Sequence, residues 1–141
     1  LWDNYPDALT APLSGRARGV TLLVAGSTTP MQSQIDNGEI VVTYIDGSTA
    51  RLALHNPTTW WPIEQDYMID DYAFRRTAPA PQRLELKTGR VYTPSEYAQI
   101  EGGAATVLTL PLDPSKELRS LTVRALSPEV VLGLLSATLV R

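Results

Sequence analysis

Residues 39–54 decide the fold, and they read EIVVTYIDGSTARLAL. Apolar and polar side chains alternate on both sides of Asp46-Gly47, as in half-buried strands joined by a tight turn. The apolar sets are Ile40, Val42 and Tyr44 on the first arm and Ala50, Leu52 and Leu54 on the second. The stretch therefore predicts a β-hairpin with one face toward a core.

The register of this hairpin depends on the length of its loop. A two-residue loop would pair Val42 with Arg51, which mixes charged and apolar side chains on one face. A three-residue loop over residues 45–47, with Gly47 in the left-handed region, pairs Val42 with Ala50 and keeps the apolar sets together. We therefore predict the three-residue loop with a glycine bulge.

Short apolar runs separated by Gly, Pro, Asp and Asn continue along the chain. They occupy residues 20–25, 84–86, 104–112, 121–125 and 130–140. Thr93-Pro94-Ser95-Glu96 fits the start of a short helix, and Asp113-Pro114-Ser115 fits a single helical turn. These features predict an all-β fold, a two-sheet antiparallel β-sandwich with one or two short helical turns.

The last run, residues 130–140, is compatible with two structures. Ser127-Pro128-Glu129 could cap a helix, and the leucines that follow do not exclude one. The β-branched residues of the run and Gly133 disfavour a helix. We expect an apolar strand that is buried on both faces.

Length and composition indicate one globular domain. The chain has 141 residues, of which 43% are hydrophobic and 19% charged, and a chain of this size buries about two-thirds of its unfolded surface. We assign residues 1–141 to a single β-sandwich domain. Because the chain opens at Leu1-Trp2-Asp3 without an initiator Met or a signal peptide, we expect a fragment of a larger protein.

Charge and missing residue types exclude several classes of function. The net charge is -3, with 12 basic against 15 acidic residues, whereas a nucleic-acid binder needs an excess of Lys and Arg to displace phosphate counterions. The chain has no cysteine, which removes disulfides, thiolate zinc sites and cysteine nucleophiles. No apolar run reaches the roughly 18 residues of a membrane span. We expect neither a nucleic-acid partner nor a membrane span.

Four parts of the chain carry a resemblance to a known family. They are LLVAGST (22–28), DNG (36–38) followed by VVTYIDG (41–47), NP (56–57) with WWPIEQDY (60–67), and LPLDPSKEL (110–118). In this order they resemble the β-sandwich region of secreted bacterial proteins classed as glycosyl hydrolases of uncharacterised function. The pattern is also similar to the galactose-binding-like jelly rolls attached to many glycosidases.

The resemblance implies a fold, a location and a set of partners. It implies a jelly roll, an extracytoplasmic (periplasmic or secreted) setting, a glycan ligand and a neighbouring catalytic domain of the same polypeptide. Jelly rolls of this kind often hold a structural calcium ion, and no other cofactor is expected. The resemblance supplies no ligand residues to transfer.

The candidate ligand-binding residues lie in one segment: Trp60, Trp61, Glu64, Asp66 and Tyr67. An exposed indole face stacks on a sugar ring, and acidic and phenolic groups fix its hydroxyls. Alternatively, both indoles are buried in the sandwich or against a neighbouring domain. Adjacent side chains of an extended segment point to opposite faces, so at most one indole serves a given surface.

The acids Glu64, Asp66, Asp70 and Asp71 allow two further interpretations. Glycoside hydrolysis needs two carboxyl groups about 5 to 10 Å apart, one of them protonated. The same acids could hold a calcium ion, which takes carboxylate and carbonyl oxygens. Solvated loop acids are the simpler explanation, and His55, the single histidine, fits a turn residue better than a catalytic one.

The expected function is that of a non-catalytic accessory, carbohydrate-binding-like module of a glycoside hydrolase. It binds glycan weakly or scaffolds the neighbouring catalytic domain, with no catalytic residue of its own. Two alternatives stay open: a glycan hydrolase that uses paired acids of residues 64–71, and a protein–protein assembly domain. Exposed indoles would favour glycan binding, and indoles covered by another domain would favour scaffolding.

Overall fold

The computed structural model describes residues 8–27, 35–56, 59–63, 65–66, 81–95, 98–126 and 131–141. Within these residues the chain forms eleven β-strands and no helix. The strands are β1 (Ala8–Pro12), β2 (Gly19–Ser27), β3 (Asp36–Tyr44), β4 (Thr49–His55), β5 (Gln65–Asp66), β6 (Gln82–Glu85), β7 (Arg90–Tyr92), β8 (Ala98–Gln99), β9 (Ala104–Pro111), β10 (Leu118–Ala125) and β11 (Val131–Val140).

The described strands assemble into two antiparallel sheets and one small ribbon. The four-stranded sheet has the order β1-β10-β3-β4, and the five-stranded sheet has the order β11-β2-β9-β6-β7. Strands β5 and β8 pair with each other. The chain crosses between the two large sheets from β1 to β2, from β2 to β3, from β9 to β10 and from β10 to β11, and it passes from β4 to β6 by way of β5. The predicted all-β sandwich is confirmed.

The core lies between the two large sheets and is built from alternate residues of their central strands. Because successive side chains of a strand point to opposite faces, every second residue enters the core. These residues are each no more than 9% exposed: Val20, Leu22, Val24, Ile40, Val42, Tyr44, Leu108, Leu110, Leu121 and Val123. Full burial of each such side chain stabilises the fold by roughly 1.5–3 kcal/mol.

The β3–β4 hairpin has the predicted register. Val42 lies opposite Ala50, and Gly47 has a φ of 87°, a conformation that glycine adopts without a Cβ clash. The carboxylate of Asp46 accepts a hydrogen bond of 2.8 Å from the backbone N–H of Ser48, which closes the turn from the other side. The three-residue loop with a left-handed glycine is confirmed.

Strand β11 corrects one prediction. It is a strand, as expected, but it pairs only with β2 among the described strands and forms an edge of the five-stranded sheet. Its residues 135–138 are exposed. The expectation of burial on both faces is wrong, because an uninterrupted apolar run does not show where in the sheet order a strand lies.

One of the two expected helical elements is corrected. Residues 93–95 have no regular structure and β8 follows at Ala98, so the short helix predicted from Thr93 is not observed. Ala98 instead pairs with Asp66, and this pairing replaces the helical hydrogen bonds. At Asp113 the expected single turn is present, closed by the bond from Lys116 N to Asp113 O at 3.2 Å.

Candidate functional site

The two adjacent tryptophans are completely buried. Trp60 and Trp61 are each 0% exposed. The ring of Trp60 belongs to the core between the sheets, and its Nε1 donates a hydrogen bond of 2.8 Å to Oδ1 of Asn37. The guanidinium carbon of Arg83 lies 5.7 Å from the centre of the Trp61 ring. Neither indole offers a ring face to solvent, so stacking on a sugar would require the chain to rearrange.

Arg83 is the centre of a buried polar cluster. Its side chain is 0% exposed and points inward from β6. Nε donates to Oδ1 of Asp66 at 3.1 Å, and Nη1 donates to Oγ1 of Thr106 at 2.7 Å. The same cation donates to the carbonyl oxygens of Trp61, at 3.1 Å, and Pro62, at 2.7 Å. A buried charge needs this degree of pairing, and the bonds fix Trp61, Pro62 and Asp66 against β6 and β9.

Burial lowers the pKa of the Arg83 guanidinium, and the neighbouring Asp66 opposes that shift. The second carboxylate oxygen of Asp66 accepts a hydrogen bond of 2.8 Å from the hydroxyl of Tyr92. Burial, followed by this bond to Asp66, raises the pKa of Tyr92 to about 12. Tyr92 therefore keeps its proton at neutral pH and acts as a donor.

A depression of about 280 Å³ lies beside this cluster, and we call it the Tyr92 depression. Its lining includes Asp66, Glu85, Arg90, Tyr92, Ser95 and Ala98, which come from β5 to β8 and the segment before β8. Its volume is close to the lower end of the roughly 300–1,000 Å³ of small-molecule sites. The surface combines an aromatic ring with several hydrogen-bonding groups.

Two charged residues form the rim of the Tyr92 depression. Arg90 donates from Nη2 to Oε2 of Glu85 at 3.2 Å, and its guanidinium lies 5.0 Å from the ring centre of Tyr92. Arg90 is 64% exposed and Glu85 is 23% exposed, so a ligand can reach both. The rim therefore offers a planar cation that lies over an aromatic ring and is paired with a carboxylate.

The structure brings only part of the predicted site together. Asp66 lines the Tyr92 depression, whereas Trp60 and Trp61 are fully buried. Glu64 and Tyr67 lie outside the described residues, as do Asp70 and Asp71. In the ranges that the structure describes, no group of three or more acids or histidines could hold a metal ion, and the calcium site stays a prediction.

His55 lies at the end of β4, followed by a turn at Asn56. Its Nδ1 is 3.0 Å from Oδ1 of Asp36. A pair of histidine and aspartate also occurs in catalytic triads. Here it joins the ends of two paired strands, β3 and β4, where Asp36 lies opposite His55.

Sequence reasoning missed Arg83 and Tyr92. The alternation of Leu84 and Leu86 with charged residues suggested that the leucines point inward, but Leu86 lies in the turn after β6 and Arg83 takes the inward position. Tyr92 lies opposite Arg83 in the β6–β7 hairpin and shares its face. The signal that could have found them is the pairing itself, because facing residues of a hairpin lie on one side of the sheet.

Comparison with known proteins adds no relative. No family model, no curated protein and no solved structure matches the chain. The part of the chain that the structure describes contains no helix long and apolar enough to cross a bilayer. The structure shows the β-sandwich fold, and the glycosyl hydrolase resemblance stays a prediction.

Proposed function

We propose that this chain is a non-catalytic accessory module of a larger, extracytoplasmic glycosyl-hydrolase-like protein, and that it binds glycan weakly in the Tyr92 depression. The observation that carries the proposal is the lining of that depression. An aromatic ring with hydrogen-bonding groups around it is the usual composition of a sugar subsite.

Preorganisation supports the proposal. Arg83 holds one oxygen of Asp66 at 3.1 Å, and the other oxygen accepts the bond from Tyr92. The ring of Tyr92 is therefore fixed by its hydroxyl before a ligand arrives, and fixed groups lose less entropy on binding. The proposed ligand-binding set is Tyr92 with the rim pair Glu85 and Arg90, and Asp66 holds the ring of Tyr92 in place.

The size and chemistry of the depression suit a weak interaction. A site of about 280 Å³ can contact only a small part of an oligosaccharide. A single tyrosine ring also offers less area than the tryptophan platform expected from the sequence. The exposed ion pair of Arg90 and Glu85 can bond a sugar hydroxyl only by giving up bonds to water, so these contacts add only modest net affinity. We therefore expect affinity far below that of an enzyme for its transition state.

The state of Asp66 argues against the hydrolase alternative. The residue is 2% exposed, and both of its oxygens accept hydrogen bonds from side chains of the same chain. A catalytic carboxyl group must reach the scissile bond, with a second carboxyl group about 5 to 10 Å away. Asp66 instead serves to hold Arg83 and Tyr92 in place.

A separate observation favours the scaffolding role in addition to glycan binding. Three large apolar side chains are exposed where β3 begins, β10 ends and β11 begins: Ile35 at 45%, Leu126 at 45% and Val131 at 36%. These positions share one end of the sandwich, because Gly38 pairs with Ala125 and also lies against the side chain of Leu132. We propose that the neighbouring catalytic domain contacts this end.

The test of glycan binding is calorimetric titration of the 141-residue chain with a panel of neutral and acidic oligosaccharides. We expect at least one weak ligand, whose affinity falls about tenfold in Arg90→Ala, a loss of about 1.4 kcal/mol. The matched control is Arg124→Ala, since Arg124 is 50% exposed on the other sheet. No heat with any glycan, or an equal loss in the control, would refute binding at the Tyr92 depression.

The hydrolase alternative has its own test. We expect no hydrolysis of chromogenic glycosides by the isolated chain. Hydrolysis that disappears in Asp66→Asn, while the circular dichroism spectrum keeps its β-sheet form, would replace the accessory role with a catalytic one.

A further inference from the structure

Strand β11 has an open edge that is unusual in its composition. Residues 131–140 read VLGLLSATLV and contain neither a charge nor a proline. One edge of the strand pairs with β2. Among the strands that the structure describes, none pairs with the other edge. The strand therefore presents a row of backbone N–H and C=O groups that can pair with another chain.

The other three outer strands of the two large sheets are protected. Proteins protect edges by short strands, prolines and charged side chains. Strand β1 has five residues and ends at Pro12, β4 carries Arg51, and β7 has three residues and begins with Arg90. Strand β11 has ten residues and none of these side chains. Of these four outer strands, β11 is therefore the one most open to pairing with another chain.

A bulge limits the usable part of this edge. The register with β2 shifts between Leu134 and Ser136, and Leu135, at the shift, is 52% exposed. A bulge bends a strand and interrupts its ladder. Of the two regularly paired segments on either side of the bulge, residues 136–140 are the longer, and their length is ordinary for a paired strand.

We propose that residues 136–140 pair antiparallel with the same segment of a second copy of this chain, about a two-fold axis at Thr138. In this register Thr138 lies opposite the partner's Thr138, and Ser136 lies opposite the partner's Val140. The five-stranded sheets of the two copies then form one continuous antiparallel sheet. This dimer does not depend on the glycan-binding proposal.

The segment is complementary to itself. Antiparallel pairing of a strand with its own copy satisfies two-fold symmetry by construction, and a threonine pair across the strands is favourable. No like charges meet, because the segment is uncharged. Arg141, the next residue, already donates to the carbonyl oxygen of Arg16 at 2.8 Å and so is held by its own chain. A charged partner segment would find no complement on this edge.

The first test uses a cysteine at the proposed axis. The chain has no cysteine of its own, so Thr138→Cys gives one thiol per molecule. Facing Cα atoms of an antiparallel pair lie about 4.5 to 5.5 Å apart, within the range of a disulfide. We expect mild oxidation to convert Thr138→Cys to a covalent dimer. Thr49→Cys, exposed on the edge strand β4, is the control and should stay largely monomeric.

The second test follows the unmodified chain by analytical ultracentrifugation. We expect a monomer–dimer equilibrium that Thr138→Lys abolishes, because two ammonium groups would face each other across the axis, and that Thr49→Lys leaves unchanged. A chain that stays monomeric at millimolar concentration, or a Thr138→Cys variant that cross-links no faster than Thr49→Cys, would overturn the proposal. The cysteine experiment decides the matter if Thr138→Lys fails to fold.

Discussion

Trp60 and Trp61 are neighbours in the sequence but belong to two different interiors. Trp60 lies in the apolar core, among residues such as Leu22 and Ile40. Trp61 lies beside Arg83, in the polar cluster with Asp66 and Tyr92. Stability in the first region comes from apolar area removed from water. In the second it depends on each charge keeping its partner, because an unpaired buried charge is costly.

The largest effect should come from breaking the polar cluster. Arg83→Met leaves Asp66, which is 2% exposed, without its cationic partner. We expect the free energy of unfolding to fall by about 3–5 kcal/mol, measured by urea denaturation. Arg90→Ala, on the exposed rim, is the control. A loss below about 1 kcal/mol in Arg83→Met would show that water reaches the cluster and that the stability of this region does not depend on the buried ion pair.

A smaller effect is expected in the apolar core. Trp60→Phe removes the 2.8 Å hydrogen bond to Asn37 and part of the ring volume. We expect a loss of about 2 kcal/mol, from the missing bond and the space left behind. Val41→Thr, on the outer face of β3, should change stability by no more than about 0.5 kcal/mol. If both variants cost the same, the core around Trp60 is not tightly packed.

Tyr92→Phe tests how much the hydrogen bond from Tyr92 to Asp66 contributes to the stability of the polar cluster. The variant removes the donor to Asp66 at 2.8 Å but leaves Arg83 in place. We expect a loss of about 1 kcal/mol, the typical net contribution of one hydrogen bond. The change is measured in the same urea series. A larger loss than that of Arg83→Met would make Tyr92 the main support of Asp66.

The pKa of Tyr92 predicts a dependence on alkaline pH. The folded state holds the phenolic proton up to about 12, above the ordinary value of 10.0. Below pH 10 both states are protonated, and the contribution is fully present. Between pH 10 and 12 only the unfolded state loses the proton, so stability falls as pH rises. The difference between the original chain and Tyr92→Phe should shrink over this range; a constant difference contradicts the shift.

The smallest effect is expected at a surface ion pair. Glu101 lies 3.1 Å from Lys87, and the two side chains are 87% and 59% exposed. Glu101→Gln should change the free energy of unfolding by less than about 0.5 kcal/mol, because solvent screens the pair. The same measurement therefore ranks a buried pair against an exposed one. A loss of stability in Glu101→Gln near that of Arg83→Met would show that the buried and the exposed ion pair contribute equally.

The hairpin of residues 39–54 shows why part of the fold was predictable. Its alternation and the glycine after Asp46 act over neighbouring residues, so the register with Val42 opposite Ala50 follows from local rules. The same holds for β9 and β10, where alternating apolar residues mark the inward face. The edge position of β11 was not predictable in this way, because sheet order depends on which distant strands pair.

The candidate site was predicted only through Asp66. Its partners Arg83 and Tyr92 are far from it in the sequence, and an inward arginine contradicts the hydropathy pattern by which inward residues are recognised. The sequence allowed two interpretations of the indoles, a sugar platform or packing in the interior. The structure places both indoles in the interior. A platform needs an exposed face, which sequence alone does not reveal.

The sequence by itself determined the class of fold, the main hairpin and most of the inward residues, because strand periodicity and turn chemistry are local. Tertiary structure alone decided that β11 lies at an open edge and that Arg83 meets Asp66 in the interior. The ion pair joins residues 17 positions apart, and Thr106 lies 45 positions from Trp61. Such contacts arise only when the sheets pack, since that packing brings distant groups together and removes the water that would otherwise separate them.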